Sequence, residues 1–233
     1  MPLIYIADTA GFPYGKKSPE EITARAIRLV EHAKEFAPPS PFILACNTLS
    51  TLSLEPLRAS FPELPFVGTV PAVKTAAQQS KSKRFTLLAT PNTAASKYSQ
   101  DLISQFANGC VVDSYGAPNL AAMAEAMLLG DTILDEDLRR EILPAFSDDG
   151  LGRTDIIVLG CTHYPLIVER LQPLTPWPVT FIDSGDAIAR RALSLGDRTP
   201  RRSIAYVTNA RHVERYRPIF MREGFDETRA FLI

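Results

Sequence analysis

Short, almost continuous apolar runs alternate along this chain with longer amphipathic stretches, and that alternation leaves few folds open. The runs fall at 3–7 (LIYIA), 41–45 (PFILA), 65–70 (PFVGTV), 85–89 (FTLLA), 110–115 (CVVDSY), 155–160 (DIIVLG), 179–182 (VTFI) and 203–207 (SIAYV). Segments this short and this uniformly apolar suit strands buried on both faces, as in a parallel sheet. Between them the spacing predicts helices at about 51–60, 71–80, 93–106, 118–129, 134–146, 165–172, 186–195 and 210–223. The clearest helix starts at Ser18-Pro19-Glu20-Glu21. Ser18 is placed to cap, Pro19 suits the first helical position and Glu21 completes a capping box. Ile22, Ala26, Leu29, Val30, Ala33 and Ala37 then share one face. Strand–helix alternation of this kind predicts an α/β fold with mainly parallel sheets.

Composition narrows the function classes. Of 233 residues, 45% are apolar and 22% charged, which is ordinary for a globular protein. Lys and Arg number 25 against 26 Asp and Glu, so no single-sign field favours nucleic acid or anionic lipid. No apolar run approaches the roughly 20 residues of a membrane span, and the N-terminus lacks the pattern of a signal peptide. Three cysteines, at 46, 110 and 161, make no disulfide framework, and a reducing, cytoplasmic setting is the expectation.

The candidate chemistry begins with two of those cysteines. Ile43-Leu44-Ala45-Cys46-Asn47-Thr48 echoes Val158-Leu159-Gly160-Cys161-Thr162-His163. Each is an apolar strand, a small residue, a cysteine and a polar pair before a helix. The echo suggests two similar α/β lobes, each presenting a thiol at a strand's carboxyl end, where open α/β sheets build their sites. A free cysteine is commonly only a small buried hydrophobe. At a helix N-terminus, however, the dipole favours thiolate. Cys110 opens an apolar strand and reads as structural. His163 sits on the turn that carries Cys161, positioned as an acid/base partner or a hydrogen-bonder. No second ligand pair accompanies Cys-x-His, so a metal site is not expected.

Several loops leave alternatives open. Pro13-Tyr14-Gly15 is either a plain turn or a loop whose backbone N–H groups approach an anion, with Gly15 allowing close approach. Thr90 and Thr93 can cap the next helix, bind a carboxylate, or do both. Glu125 sits in an apolar helical setting beside Leu120, Met123, Ala124 and Met127. Asp183-Ser184-Gly185 is expected to cap the following helix. His32 and His212 are expected to face solvent.

These motifs together resemble the bacterial glutamate racemases of the aspartate/glutamate racemase superfamily. The stretches carrying the likeness are Ala7-Asp8-Thr9 with Pro13-Tyr14-Gly15-Lys16-Lys17-Ser18, Ala45-Cys46-Asn47-Thr48, Val67-Gly68, Leu88-Ala89-Thr90 with Thr93, Pro118 with Glu125, Gly160-Cys161-Thr162-His163-Tyr164-Pro165-Leu166, and Ile182-Asp183-Ser184. His163 after Cys-Thr resembles the glutamate branch; aspartate racemases usually carry Glu there. The resemblance implies two pseudo-symmetric lobes with the site between them, the first formed by 1–70 and 185–233 and the second by 71–184. It implies racemisation of glutamate without a cofactor, supplying D-glutamate for peptidoglycan. Cys46 and Cys161 would be the acid/base pair, assisted by His163 and Glu125. Tyr14, Gly15, Asn47, Thr48, Thr90, Thr93 and Thr162 would surround the substrate. A homodimer is a further expectation.

One departure from the family pattern carries its own expectations. The family opens with a strand, a loop reading roughly Phe-Asp-Ser-Gly-x-Gly-Gly and a helix, and here Met1 lies just six residues before Ala7. A late recorded start or a shortened homologue follows. So does an unpaired edge, or a different position, for Leu3–Ala7. The alternative function is a racemase-like protein that binds an acidic amino acid with little or no turnover. A related enzyme for aspartate or another small acid is a third, against which His163 argues.

Overall fold

The computed structural model describes residues 3–36, 41–150, 152–195 and 202–232. Nine strands are described: β1 Ile4–Ala7, β2 Phe42–Leu44, β3 Phe66–Gly68, β4 Arg84–Ala89, β5 Val111–Gly116, β6 Ile156–Gly160, β7 Thr180–Ile182, β8 Ile204–Val207 and β9 Glu227–Ala230. The α-helices are α1 Pro19–Lys34, α2 Asn47–Ser60, α3 Val73–Gln79, α4 Pro91–Ala95, α5 Lys97–Phe106, α6 Leu120–Leu128, α7 Asp135–Ile142, α8 Val168–Leu171, α9 Gly185–Leu195 and α10 Val213–Arg222. Every strand pairing is parallel, in sheets ordered β5-β4-β6-β7, β1-β8-β9 and β2-β3. Helices flank these sheets in two lobes, the α/β class expected from the alternation.

The four-stranded sheet shows why its runs are so apolar. Strand β4 lies between β5 and β6 and is buried along its whole length. Alternate side chains serve opposite faces. Phe85, Leu87, Ala89, Ile156 and Val158 pack with Val73 and Ala107 on one side. Leu88, Ile157 and Leu159 pack with Leu120, Ile142, Tyr164 and Leu171 on the other. Cys110 belongs to the first layer, its sulfur 3.9 Å from the Ala77 carbonyl, in line with a structural role.

Around the other sheets the chain is held by helix packing. The capping box forms: Ser18 Oγ accepts from the Glu21 N–H at 3.2 Å and Glu21 Oε2 accepts from the Ser18 N–H at 3.0 Å. Ile22, Ala26, Val30 and Ala33 are buried, Leu29 partly so, and Ala37 lies outside the described residues. Helices α1 and α2 enclose a core of Val30, Leu44, Leu57, Phe61 and Phe66. Ala205 and Val207 of β8 pack on Tyr216, Ile219 and Phe220 of α10. Among the described residues no strand pairs with the second edge of β1 or of β2, which matches the unpaired edge expected for Leu3–Ala7. Leu3, Ile4 and Tyr5 are 43%, 38% and 40% exposed there.

Three expectations need correction. Helix α2 starts at Asn47, several residues before the predicted 51, because Cys46 itself is its N-cap, in extended conformation. Strand β9 was not anticipated: Glu-Thr-Arg-Ala has no apolar run, and as an edge strand pairing only β8 it needs none. Like His32, His212 is half-buried instead of solvent-facing. It stacks on Tyr216 at 6.1 Å, and its Nδ1 is buried without a hydrogen-bond partner.

Candidate active site

The polar residues singled out above gather where the strands end. Cys46 follows β2, Thr90 follows β4, Cys161 follows β6 and Asp8 follows β1. The loops carrying the two cysteines touch: Thr162 Oγ1 donates to the Ala45 carbonyl at 3.1 Å. Each partner in that bond is the immediate neighbour of a cysteine. The thiols are close enough for charge on Cys161 to be felt at Cys46.

Their surroundings differ. Cys46 caps the 14-residue α2, and the N–H groups of Leu49 and Thr48 favour its thiolate. Burial outweighs them, with Cys161 adding to it, and pushes the Cys46 thiol up to about 11. Cys161 instead sits beside His163, whose Nε2 lies 2.8 Å from Glu125 Oε2. Burial alone would lower the His163 value; the neighbouring Cys161 and Glu125 override it and raise it to about 10. Glu125 is held below the usual carboxylate range: burial opposes this, but hydrogen bonds from His163 and Tyr216 prevail. Phe12 packs against the His163 ring in a tilted arrangement, with centroids 5.3 Å apart and the planes at 35°.

Three threonines, one on α2 and two at the start of α4, form a buried hydroxyl cluster. Thr48 Oγ1 lies 2.8 Å from Thr90 Oγ1 and 3.1 Å from Thr93 Oγ1. Thr90 and Thr93 hydroxyls are 3.1 Å apart. Gly15 backs onto this cluster; a Cβ there would stand 3.1 Å from Thr90 Cβ, so the close approach depends on glycine. Tyr14 points its hydroxyl at Asp8 Oδ2, 2.5 Å away. Burial and the Asp8 charge raise the Tyr14 phenol, so it stays a donor. Asn47 is 2% exposed, and its Oδ1 is buried with no hydrogen-bond partner. An orphaned acceptor of this kind suits an N–H-bearing ligand group. Asp183 Oδ1 accepts from the Gly185 N–H at 2.6 Å, the capping arrangement expected at α9. Among the described residues no group of three His, Cys, Asp or Glu is placed to hold a metal ion, and no helix is long and apolar enough to cross a membrane.

Other residues join the site from distant positions. Asp8 accepts two bonds from Arg25, both at 2.5 Å, one from Thr208 at 2.7 Å and one from Tyr14, a hub that orients the Tyr14 loop. These donors overcome the burial penalty and keep Asp8 ionised. Tyr216 donates to Glu125 Oε1. Glu141 takes the N–H groups of Asn119 and Leu120, at 2.9 and 3.1 Å, and so anchors the helix bearing Glu125. Ala7-Asp8-Thr9 and the strand end before it were visible signals for Asp8; nothing in the spacing pointed to Tyr216, Phe12 or Glu141. A surface hollow of about 580 Å³ lies along α1, lined by Gly11, Lys17, Glu21, Arg25 and Arg28, and neither cysteine borders it.

The sequence profile of the Asp/Glu/Hydantoin racemase family matches residues 1–192. The chain belongs to the Asp/Glu/Hydantoin racemase family. Glutamate racemases of Agrobacterium fabrum and Brucella ovis are each 47% identical to it over 192 residues, spanning 82% of this chain and 70% and 69% of theirs. Among solved structures, the Escherichia coli glutamate racemase in complex with L-glutamate and the activator UDP-MurNAc-ala aligns with a TM-score of 0.90 and 35% identity, over 98% of this chain and 88% of that one. The Bacillus anthracis glutamate racemase isoform RacE1 shares the fold, with a TM-score of 0.82 at 24% identity over 100% and 87%. This racemase-family chain therefore has the two-lobe architecture of the glutamate racemase fold.

Proposed function

We propose that this chain interconverts L- and D-glutamate without a cofactor, using Cys46 and Cys161 as a two-thiol acid/base pair. The observation that supports this reading is the contact between the two cysteine-bearing loops, where Thr162 donates to the Ala45 carbonyl. Inverting a carbon centre needs a base on one face and an acid on the other. One thiolate removes the α-proton as the opposite thiol delivers one, and the roles exchange in the reverse direction. The α-proton is far less acidic than a thiol, so the carbanion-like transition state needs preorganised dipoles in a dry cleft. The hydroxyls of Thr48, Thr90, Thr93 and Thr162, with the Tyr14-Gly15 loop, suit the substrate's carboxylates. The orphaned Asn47 Oδ1 suits its ammonium group. His163, paired with Glu125, assists Cys161. We assign the lobes to 1–70 with 185–233 and to 71–184, and the D-glutamate made to peptidoglycan supply in the cytoplasm, on the family resemblance.

The two enantiomers have equal free energy, so kcat/KM must be the same from either side. Cys46→Ala or Cys161→Ala is expected to abolish racemisation in both directions, measured by circular dichroism on each enantiomer. Normal racemisation by both single variants would refute the two-thiol scheme. Incubation in deuterium oxide separates an enzyme from a binder: an enzyme washes deuterium into the α-position, and a protein that only holds the amino acid does not.

A further inference from the structure

We propose that Tyr216 is a positioning residue that reaches from α10 to aim Glu125 at His163. The idea deepens the two-thiol reading and rests on it for its kinetic consequence. Glu125 has two oxygens and two donors. Its Oε2 faces His163 Nε2 at 2.8 Å, while Oε1 takes the Tyr216 hydroxyl. A carboxylate with one oxygen unclaimed can swing; a donor on each oxygen fixes its plane. With Nε2 committed to Glu125, the other ring nitrogen is the one left for the Cys161 side. Tyr216 itself is held by its own helix. His212, Tyr216 and Phe220 follow at four-residue spacing, so their rings lie along one face. They stack at 6.1 and 6.0 Å with interplanar angles of 22° and 25°. Tyr216 is buried, and Ile219 and Phe220 anchor the same face against Ala205 and Val207 of β8. The phenol direction is thus set by a ring stack on one sheet and read by a carboxylate on α6, which packs against the other.

The titratable and charged groups facing Glu125 are His163, Tyr216, Tyr5 and Arg215, the last paired with Asp131 at 2.7 Å. Of these, His163 and Tyr216 donate hydrogen bonds to the carboxylate. Tyr5 sits against Phe220 with centroids 5.5 Å apart.

Tyr216→Phe keeps the ring stack and removes only the hydroxyl. Loss of a hydrogen bond to a charged group is expected to lower kcat about tenfold. KM for glutamate should stay within about twofold, because Tyr216 acts through Glu125 and not on the substrate. In a Glu125→Gln background the same change should have no further effect. An equal loss in both backgrounds, or a wild-type kcat in Tyr216→Phe, overturns the proposal. A drop in melting midpoint with kcat and KM altered alike would mark Tyr216 as a structural tie and also overturn it. Titration of the His163 ring by NMR gives an answer independent of turnover. The midpoint should be lower in Tyr216→Phe than in the wild-type chain, while Cys161 still holds it above the ordinary histidine value, and an unchanged or raised midpoint counts against positioning. If the wild-type chain does not racemise, the function proposed above fails while this ring titration still decides the role of Tyr216.

Discussion

The two cysteines differ in what surrounds each sulfur. Cys46 sits in a half-buried N-cap whose desolvation pushes its value up to about 11, so at neutral pH it holds its proton. Cys161 neighbours an imidazole tied to a carboxylate. Thiolate is the species that alkylates. The rate of Cys46 modification by iodoacetamide should therefore climb about tenfold per pH unit from 7 to 10 without levelling off, read peptide by peptide by mass spectrometry. A plateau near pH 8 would show that burial does not dominate at this thiol. The thiols themselves were legible from sequence because strand, small residue, cysteine and polar pair occur twice. Their supporting partners were not. Asp8 meets Arg25 and Thr208, and Glu125 meets Tyr216, across separations that no periodicity registers. His212 was misjudged for a related reason: a histidine in a helical pattern looks exposed until the ring beside it, Tyr216, is known to be buried.

Helix α6 shows how an element is positioned by a residue outside it. Its N-cap, Asn119, makes no side-chain cap bond to the helix. The orphan N–H groups are taken by Glu141, a buried carboxylate on α7 that also receives Asn119 Nδ2 at 2.9 Å. A charge at the positive end of a helix is favourable, and removing it leaves buried donors unpaired. Glu141→Ala should cost about 1–3 kcal/mol in urea unfolding. It should also lower turnover, since Glu125 rides on the same helix. At this scale the strand runs and most helices were readable, because buried parallel strands must be apolar throughout. The exceptions obey the same logic: β9 is an edge strand and carries charge, and α2 is capped by a cysteine, which has no standing as a sequence cap.

Across the whole molecule, the residues proposed for the chemistry meet where the strand-end loops converge. Tyr216 to Glu125, Phe12 to His163 and Thr48 to Thr90 and Thr93 all draw distant segments together there. The His163–Glu125 pair gives that region a pH dependence. The folded-state value of His163 is raised to about 10, above the ordinary value of about 6.5. Its contribution is present in full below that ordinary value and disappears as pH rises through about 10. Between pH 7 and 10 the thermal midpoint should thus fall more steeply for the wild-type chain than for Glu125→Gln, and parallel profiles would remove the pair from the stability account.

The Thr162–Ala45 hydrogen bond joins the very loops that bear the two sulfurs. On the two-thiol reading, glutamate bound between those sulfurs lies beside this hydrogen bond, so removing the Thr162 hydroxyl changes how firmly one sulfur is held against the other.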